Sequence, residues 1–290
     1  MTCRKIMNTE TPGTTNNTSE LRPVVTDESA PILRIENVSV EFGNNLVLRN
    51  IDFSIHEGES VAIIGESGCG KTVLLKTLIG LNQPMMGRVL FDEHDLAALS
   101  FFELAEIRTR YGYVFQQAAL FDSMTVGENI AFSLVEHTDK PQKEIYDRVS
   151  HLLHEVGLAR STMYKKPAEL SGGMRKRVGF ARALALDPEL MLYDEPTTGL
   201  DPIMSDVINQ LMINTRKHHR VTGIMVTHDM KSAFQVADRI IMLYPIGRLK
   251  ENESQIIFDG TPEQLEASQD HRVWQFLHGV AGERLEEIEN

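Results

Sequence analysis

The chain has 290 residues, a formal net charge of −12 and a hydrophobic content of 42%, enough for one large core or two modest ones. This acidic balance argues against a broad nucleic-acid-binding face, so we expect no nucleic-acid partner. The two cysteines form no metal-ligand pattern, which favours a reducing, cytosolic compartment, and no apolar run approaches the roughly 18 residues of a membrane-spanning helix.

The first thirty residues are rich in Thr, Asn, Ser and Pro. This composition is typical of a disordered tail, so we expect order to begin near residue 31. Alternating apolar positions in "PILRIENVSVEF" and "LVLRNIDFSI" predict two half-buried strands. The pattern then changes, because "SVAIIG" is nearly continuously apolar and leads through a glycine-rich loop into a predicted helix over residues 71–81.

Further along the chain, compact apolar strands are predicted in "ELMLYDE", "VTGIMVTHD" and "RIIMLYP". Apolar runs without alternation are typical of parallel strands that are covered on both faces. Helical patterns separate them, so we expect an α/β core. Residues 116–170 contain no comparable strand and predict a helical insertion.

The glycine-rich segment "GESGCGKT" matches the P-loop pattern and lies between a predicted strand and a predicted helix. Its glycines would let backbone N–H groups surround phosphate oxygens at the helix N-terminus. Lys71 would reach the β- and γ-phosphates, and the Thr72 hydroxyl would ligate Mg²⁺. A chance glycine-rich turn is the competing interpretation, which the strand–loop–helix context disfavours. The predicted nucleotide-binding residues of this loop are Gly65, Glu66, Ser67, Gly68, Cys69, Gly70, Lys71 and Thr72.

Two adjacent carboxylates end the predicted strand in "LMLYDEP". Strand side chains alternate between faces, so Asp194 and Glu195 point in different directions. Asp194 fits a Mg²⁺-binding role, and Glu195 fits the role of a general base or water-positioning residue. Alone, the pair would read as a solvated strand end. Together with a P-loop, it predicts a hydrolytic site.

Three further residues gain meaning from this context. Gln116 follows an apolar strand and could contact Mg²⁺ and the attacking water, while His228 follows another strand and could donate to a γ-phosphate. Phe42, before a glycine, could stack on adenine. Taken singly, they would be an ordinary surface glutamine, a capping histidine and a core phenylalanine.

The segment "LSGGMRKR" predicts a helix over residues 172–186 with Ser171 as its N-cap. Its first turns carry Arg175, Lys176 and Arg177, although the helix dipole already places positive charge there. Such an N-terminus is suited to an anion. We expect the three basic side chains to form local salt bridges rather than to contact a nucleotide.

The order of these motifs resembles that of the ATP-binding cassette (ABC) ATPases of transporters, over roughly residues 32–265. Phe42 matches the aromatic A-loop position, Gln116 the Q-loop and "LSGGM" the signature motif, which adds Ser171, Gly172 and Gly173 to the nucleotide contacts. "LMLYDE" matches the Walker B motif, Asp201 the D-loop aspartate and His228 the switch histidine. The chain departs from the commonest pattern at Phe42, where Tyr is frequent, and at Met174, where Gln is usual.

This resemblance implies a P-loop NTPase fold with a RecA-like parallel-sheet core, an antiparallel β subdomain and a helical signature subdomain at about residues 117–186. The ATPase domain would cover residues 31–265, followed by a C-terminal helical extension over residues 266–290. Two copies would pair head to tail over two ATP and Mg²⁺, each signature facing the γ-phosphate held by the partner. A separate membrane permease would dock near residues 116–138, which places the protein at the cytoplasmic face of the inner membrane.

Within this family, the segments around "FQQAALFDSMTVGEN" and "LSGGMRKRVGFARALALDP" resemble the Mla and Mce lipid-transport ATPases. The resemblance implies phospholipid transport with an MCE-domain partner and admits a small STAS-domain subunit. An amino-acid-type importer ATPase and a cell-division-type ABC ATPase remain alternatives. In the C-terminal extension, Val273, Phe276, Leu277, Val280 and Ala281 fall at helical spacing. We expect the early part of this stripe to pack on the chain's own core, and the tail after Gly279 to reach a second cassette.

Overall fold

The computed structural model describes residues 30–251 and 253–280. The predicted N-terminal tail therefore lies outside the described residues, apart from residue 30, and so does the end of the chain after Val280. Across the described residues, none of the helices combines the length and apolar character that crossing a lipid bilayer requires.

Two sheets organise the described part of the chain. The strands are β1 (Leu33–Phe42), β2 (Asn45–Ile55), β3 (Ser60–Gly65), β4 (Met86–Phe91), β5 (His94–Asp95), β6 (Tyr111–Val114), β7 (Leu190–Asp194), β8 (Thr222–Val226), β9 (Arg239–Leu243) and β10 (Ile256–Gly260). The helices are α1 (Lys71–Leu78), α2 (Phe101–Thr109), α3 (Val126–His137), α4 (Gln142–Glu155), α5 (Gly172–Ala183), α6 (Pro202–His219), α7 (Met230–Val236), α8 (Pro262–Glu266) and α9 (His271–His278).

The smaller sheet is antiparallel, in the order β2-β1-β4-β5. In β1, Leu33 pairs with Ile55 of β2 on one side and with Phe91 of β4 on the other. All three side chains are buried, which follows from the alternating apolar pattern of these strands.

The larger sheet has the order β10-β9-β3-β8-β7-β6. The strands from β9 to β6 are parallel, and β10 joins β9 antiparallel. Every residue of β3, β7 and β8 is buried, as expected for parallel strands covered on both faces. The predicted α/β class, with a parallel core and a separate antiparallel sheet, is confirmed.

Alternate residues of β3 belong to two different apolar clusters. Ala62 and Ile64 contact the cluster formed with α3, α4, α5 and α7. Val61 and Ile63 contact the cluster formed with the antiparallel sheet and α1. The central sheet therefore separates two cores, and the carboxyl ends of its strands form the edge at which the candidate site lies.

The segment between β6 and β7 contains α3, α4, α5 and two short 3-10 helices, Arg160–Tyr164 and Pro167–Glu169. All its residues are described and none forms a strand, so the predicted helical insertion is confirmed. Its last helix, α5, ends at Ala183, three residues before the predicted end. The backbone turns left-handed at Asp187 before Pro188, which cannot continue a helix.

Helix α9 packs its apolar face on the core of the same chain. Val273 is fully buried, and Phe276 and Leu277 are half-buried against the larger cluster. The single tryptophan, Trp274, is exposed. Apart from Val280, the tail predicted to reach a second cassette lies outside the described residues.

Candidate nucleotide site

The loop between β3 and α1 depends on glycine where it turns. Gly65 has a φ of 147°, and a Cβ atom there would lie 2.4 Å from the carbonyl oxygen of Leu243. A side chain at this position would thus clash with the end of the neighbouring strand β9. This clash explains why the first glycine of the predicted P-loop is required by the fold itself.

The open side of the loop suits a phosphate group. Gly68 has a φ of 83°, and no atom lies within 4 Å of the place a Cβ would occupy. Helix α1 begins at N-cap Gly70, which offers no side-chain acceptor to the first N–H groups of the helix. Those N–H groups and the positive end of the dipole are thus suited to an anionic ligand.

Lys71 is almost fully buried, and its Nζ donates to the carbonyl oxygens of Gly65, at 2.8 Å, and Glu66, at 2.9 Å. Its ammonium group is therefore held against the loop. The Glu66 carboxylate pairs with Arg248 at 2.7 Å. Ser67 is exposed, and Cys69 is buried beneath the loop, where burial raises the pKa of its thiol.

Thr72 and Asp194 converge at the edge of the sheet. The Thr72 hydroxyl donates to Asp194 Oδ1 at 3.1 Å, and the Tyr113 hydroxyl donates to Asp194 Oδ2 at 3.2 Å. Burial raises the pKa of Asp194, and these two hydrogen bonds partly oppose the rise. The hydroxyl and carboxylate oxygens are the ligands that Mg²⁺ prefers, so the pair fits the metal role predicted for it.

Glu195 occupies a strained position directly after β7. Its φ is 47°, which a non-glycine residue rarely adopts, and its N–H donates to the carbonyl oxygen of Val226 at 2.9 Å. Its carboxylate Oε2 accepts from the Thr198 hydroxyl at 3.0 Å and lies 2.8 Å from Nδ1 of the half-exposed His228. The structure therefore brings two of the three predicted catalytic residues together.

The third, Gln116, lies two residues after β6, and the last residue of that strand, Val114, pairs with Tyr193 of β7. Its side chain is exposed at the same sheet edge, but none of the described hydrogen bonds joins it to Thr72 or Asp194. Phe42 ends β1 and is half-exposed, as a stacking residue must be.

The signature segment lies apart from this site. Ser171 caps α5 by accepting from Met174 N at 3.3 Å, Gly172 is open, and Gly173 is covered by Met204 of α6. Asp201 caps α6 by accepting from the N–H groups of its first turn. None of the hydrogen bonds described for residues 171–173 or 201 reaches the P-loop of the same chain.

The three basic residues of α5 act locally, but the described contacts of their side chains are with carbonyl oxygens rather than carboxylates. Arg175 donates to Leu170, and Arg177 donates to Val156 and Gly157. Lys176 is buried and donates to Glu195 and Pro196. The expectation of salt bridges was wrong, because these side chains end at main-chain carbonyl oxygens.

Sequence reasoning missed several contributors to the site: Tyr113, Thr198, Lys176 and Gln255. Tyr113 and Thr198 could have been found, since each lies three residues from a predicted catalytic residue. Gln255 could not, because its bond to the carbonyl oxygen of Cys69, at 2.9 Å, joins residues 186 positions apart. Lys176 carries a signal, a positive charge where the helix dipole disfavours it, but the sequence alone predicts a local salt bridge for it.

A P-loop, a Walker-type carboxylate pair, a histidine on the second carboxylate and a glycine-rich signature helix together define an ABC-type ATPase. The sequence comparisons agree with this class. The family described as ABC transporter matches residues 48–198. The chain belongs to this family, as an ATP-binding, ATP-hydrolysing cassette of a transporter.

Among curated proteins, the chain is similar to the intermembrane phospholipid transport system ATP-binding protein MlaF. It is 40% identical to the protein from Haemophilus influenzae, over 86% of this chain and 90% of that protein. It is 37% identical to the one from Escherichia coli K12, over 87% and 90%. A Mycobacterium leprae protein named "Probable ribonucleotide transport ATP-binding protein mkl" is 40% identical over 85% of this chain and 69% of that protein.

Among solved structures, the chain is similar to MJ0796, an ATP-binding cassette described as a dimer bound to ADP and Pi after hydrolysis. The TM-score is 0.70 at 32% identity, over 79% of this chain and 98% of that one. CbiO1 from Clostridium perfringens gives a TM-score of 0.73 at 28% identity, over 90% and 100%.

Proposed function

We propose that two copies of this chain close head to tail over two Mg-ATP, and that hydrolysis drives phospholipid movement through a separate membrane permease. An MCE-domain protein and a small STAS-domain subunit would complete the transporter at the cytoplasmic membrane face. The observation that carries the dimer is the separation of two complementary half-sites. The P-loop, Asp194 and Glu195 converge at one edge, whereas the Ser171 end of α5 caps only its own helix.

The residues of the first half-site divide the chemistry among themselves. Lys71 and the amides at the start of α1 bind phosphate oxygens, and Thr72 and Asp194 supply oxygen ligands for Mg²⁺. Glu195 accepts the proton of the attacking water or orients that water, and His228 donates toward the γ-phosphate. Gln116 would add a further side-chain oxygen ligand for Mg²⁺ when Mg-ATP is bound. The second half-site would supply hydroxyl and N–H donors from Ser171 to Gly173 to the partner's nucleotide, and Asp201 would be a further contact of that nucleotide.

A groove beside the Gln116 loop is the surface on which we place the permease. It encloses about 240 Å³ between α2, β6, α3 and α5. Phe132 lines it and contacts Phe121 with a ring-centroid distance of 5.1 Å, and both rings are at least 38% exposed. Phe101 and Phe102, at the start of α2, are also exposed and contact each other. Exposed aromatic residues clustered in this way are typical of a protein–protein interface.

The cargo assignment depends on the relatives. Two MlaF proteins, named for intermembrane phospholipid transport, align over 90% of their length at 37–40% identity. The mycobacterial relative is named for ribonucleotide transport, so a ribonucleotide is the second candidate cargo. The cassette itself contacts ATP rather than the cargo, so the permease complex must decide between them.

The substitution Glu195→Gln tests the shared-site mechanism. It keeps the shape of the side chain but removes the base, so turnover should fall by about 100-fold or more, and Mg-ATP should hold the protein as a dimer in size-exclusion chromatography. Glu189→Gln is the matched control, since the exposed Glu189 precedes the same strand at its opposite end and pairs with Arg110. Full turnover by monomeric Glu195→Gln protein would overturn the proposal.

Co-purification tests the partners and the cargo. An affinity-tagged chain should co-purify with a membrane permease that has several spanning helices and with an MCE-domain protein. The Phe132→Asp chain should no longer co-purify with them. Tyr164→Asp is the control, because Tyr164 is an exposed aromatic residue of the same helical segment that lies outside the groove. In vesicles, ATP-dependent transfer of phospholipid supports the proposal. Uptake of ribonucleotide instead, or capture of cell-division proteins, would contradict it.

A further inference from the structure

Lys176 of α5 is one of the few buried charged residues among those described, with only 8% of its surface exposed. Its Nζ donates to the carbonyl oxygen of Pro196 at 2.7 Å and lies 3.5 Å from that of Glu195. Lysine is rarely buried unless its charge has a partner. This buried contact therefore requires an explanation beyond helix packing.

The main chain that Lys176 contacts is the strained turn of Glu195. A left-handed non-glycine residue is strained and persists only when its surroundings hold it. The following residue, Pro196, has no N–H and so cannot anchor the turn by donating a hydrogen bond. The N–H of Glu195 is fixed by Val226 on β8. On the carbonyl side of the same turn, the Pro196 oxygen accepts from Lys176 at 2.7 Å, and the Glu195 oxygen accepts from the Thr198 N–H at 3.3 Å and lies 3.5 Å from the Lys176 Nζ.

Burial makes this contact costly for the lysine. It lowers the pKa of Lys176 to about 8, because the ammonium group loses water, and the nearby negative charge of Glu195 only partly opposes the shift. A methionine would fill a similar volume at this place without that cost. The retained charge thus serves the position of the carbonyl groups.

We propose that Lys176 is a positioning residue for hydrolysis, which aims the Glu195 carboxylate by holding the Glu195–Pro196 turn. The inference rests on the proposed role of Glu195. It also connects the two half-sites of one chain, since Lys176 lies one and a half turns after Ser171 on the same helix. A shift of α5 when Ser171 meets the partner's nucleotide is thereby transmitted to this chain's own Glu195.

A double-mutant cycle tests the inference. Lys176→Met and Glu195→Gln are made singly and together, and steady-state hydrolysis is measured over a range of Mg-ATP concentrations by release of radiolabelled γ-phosphate. Lys176→Met alone should lower kcat about 10- to 100-fold while the KM for ATP stays within about twofold, since a small misplacement of a catalytic group has effects of this size. In the Glu195→Gln background, it should lower the residual rate by less than about twofold, because the two residues act as one unit.

Arg177→Met is the matched control. Arg177 is the next residue of the same helix and also donates to carbonyl oxygens, but those of Val156 and Gly157, away from the site. Its effect on rate should be small and equal in both backgrounds. Lys176→Arg keeps a cationic donor and should recover part of the rate. Lys176→Gln, which removes the charge, replaces Lys176→Met in the cycle if the methionine variant does not fold.

The outcomes separate the two proposals. If Lys176→Met lowers the rate by the same factor in both backgrounds, or raises only the KM for ATP, Lys176 does not act through Glu195 and the inference is wrong. The role of Glu195 is unaffected by that result. If Glu195→Gln alone leaves turnover unchanged, the proposed function fails first, whatever Lys176→Met does.

Discussion

Gln255 connects the P-loop to the antiparallel sheet. It is fully buried, and its Nε2 donates to the carbonyl oxygens of Cys69, at 2.9 Å, and Val47, at 3.3 Å, while its Oε1 accepts from Arg49 N at 2.8 Å. In a trans peptide, the C=O of one residue and the N–H of the next point in opposite directions. By holding the Cys69 carbonyl, Gln255 therefore aims the Gly70 N–H toward the open side of the loop.

Gln255→Met removes all three hydrogen bonds with little change in shape. Each neutral bond contributes about 1 kcal/mol, and leaving a buried partner unsatisfied costs about 1–3 kcal/mol. The 3.3 Å bond is the weakest, so we expect a loss of about 3 kcal/mol in the free energy of unfolding. For a domain of this size, that is a fall in Tm of roughly 6–12 °C. ATP affinity should fall about 10-fold, as expected for one misdirected phosphate donor.

Urea unfolding measures the first quantity, and a titration with a fluorescent ATP analogue measures the second. Gln264→Met is the control, since Gln264 accepts only from the exposed Thr261 N–H at a helix N-terminus. It should cost less than about 1 kcal/mol and leave ATP affinity unchanged.

Two results would refute the reasoning in different ways. An unchanged stability of Gln255→Met would show that the three buried bonds add no net free energy. A loss of stability with unchanged ATP affinity would show that Gln255 supports the sheet but does not orient the Gly70 amide. Only the combined loss agrees with the geometry.

Three other substitutions make narrower predictions. Tyr113→Phe removes a hydrogen bond that lowers the pKa of Asp194, so that pKa should rise further. The Mg²⁺ concentration needed for half-maximal turnover should then increase more steeply with falling pH than it does in the parent protein. Identical Mg²⁺ titrations of the two proteins at pH 6 and pH 8 would contradict this. Arg182→Met removes donors to the carbonyl oxygens of Ala118 and Ala119 and should lower turnover at unchanged ATP affinity, and a selective loss of ATP binding would argue otherwise. In a Cys3→Ser chain, iodoacetamide should label Cys69 slowly because burial raises its pKa, and Mg-ATP should slow it further; equal labelling rates with and without nucleotide would count against its place in the loop.

The parts of the fold that follow from local pattern were predictable from the sequence. The unbroken apolar run of β3 predicted a strand covered on both faces, and all its residues are buried. The P-loop and the Asp194–Glu195 pair were predictable because their chemistry depends on fixed local spacing. The predicted end of α1, at Leu81, was wrong, because the helix ends at Leu78. The left-handed Gly80 that follows is a common helix terminator.

What the sequence could not predict depends on contacts between distant segments. A lysine at the start of a helix is ordinarily solvated, and only packing of α5 against the turn after β7 makes Lys176 a buried donor. The positive φ of Glu195 is equally invisible in the sequence, because nothing about a glutamate before a proline predicts it. Strain of this kind is imposed by the tertiary structure and concentrates at functional sites.

Helix α5 contacts a second strained loop as well. Ala118 and Ala119, directly after the Gln116 turn, have φ values of 61° and 47°, and the guanidinium of Arg182 donates to both of their carbonyl oxygens. Gly179 lets the loop approach, since a Cβ there would lie 3.2 Å from the side chain of Ala118.

One helix therefore holds the loop after β6 through Arg182 and the turn after β7 through Lys176. Both loops are held in conformations that they would not adopt alone, so movement of α5 must change both together. Because Arg182 also stands beside Phe115 and Phe121 at the groove, each 6.0 Å from its guanidinium, a permease seated there would act on the same helix. The expected consequence is that occupation of the groove changes the rate of hydrolysis more than the affinity for ATP.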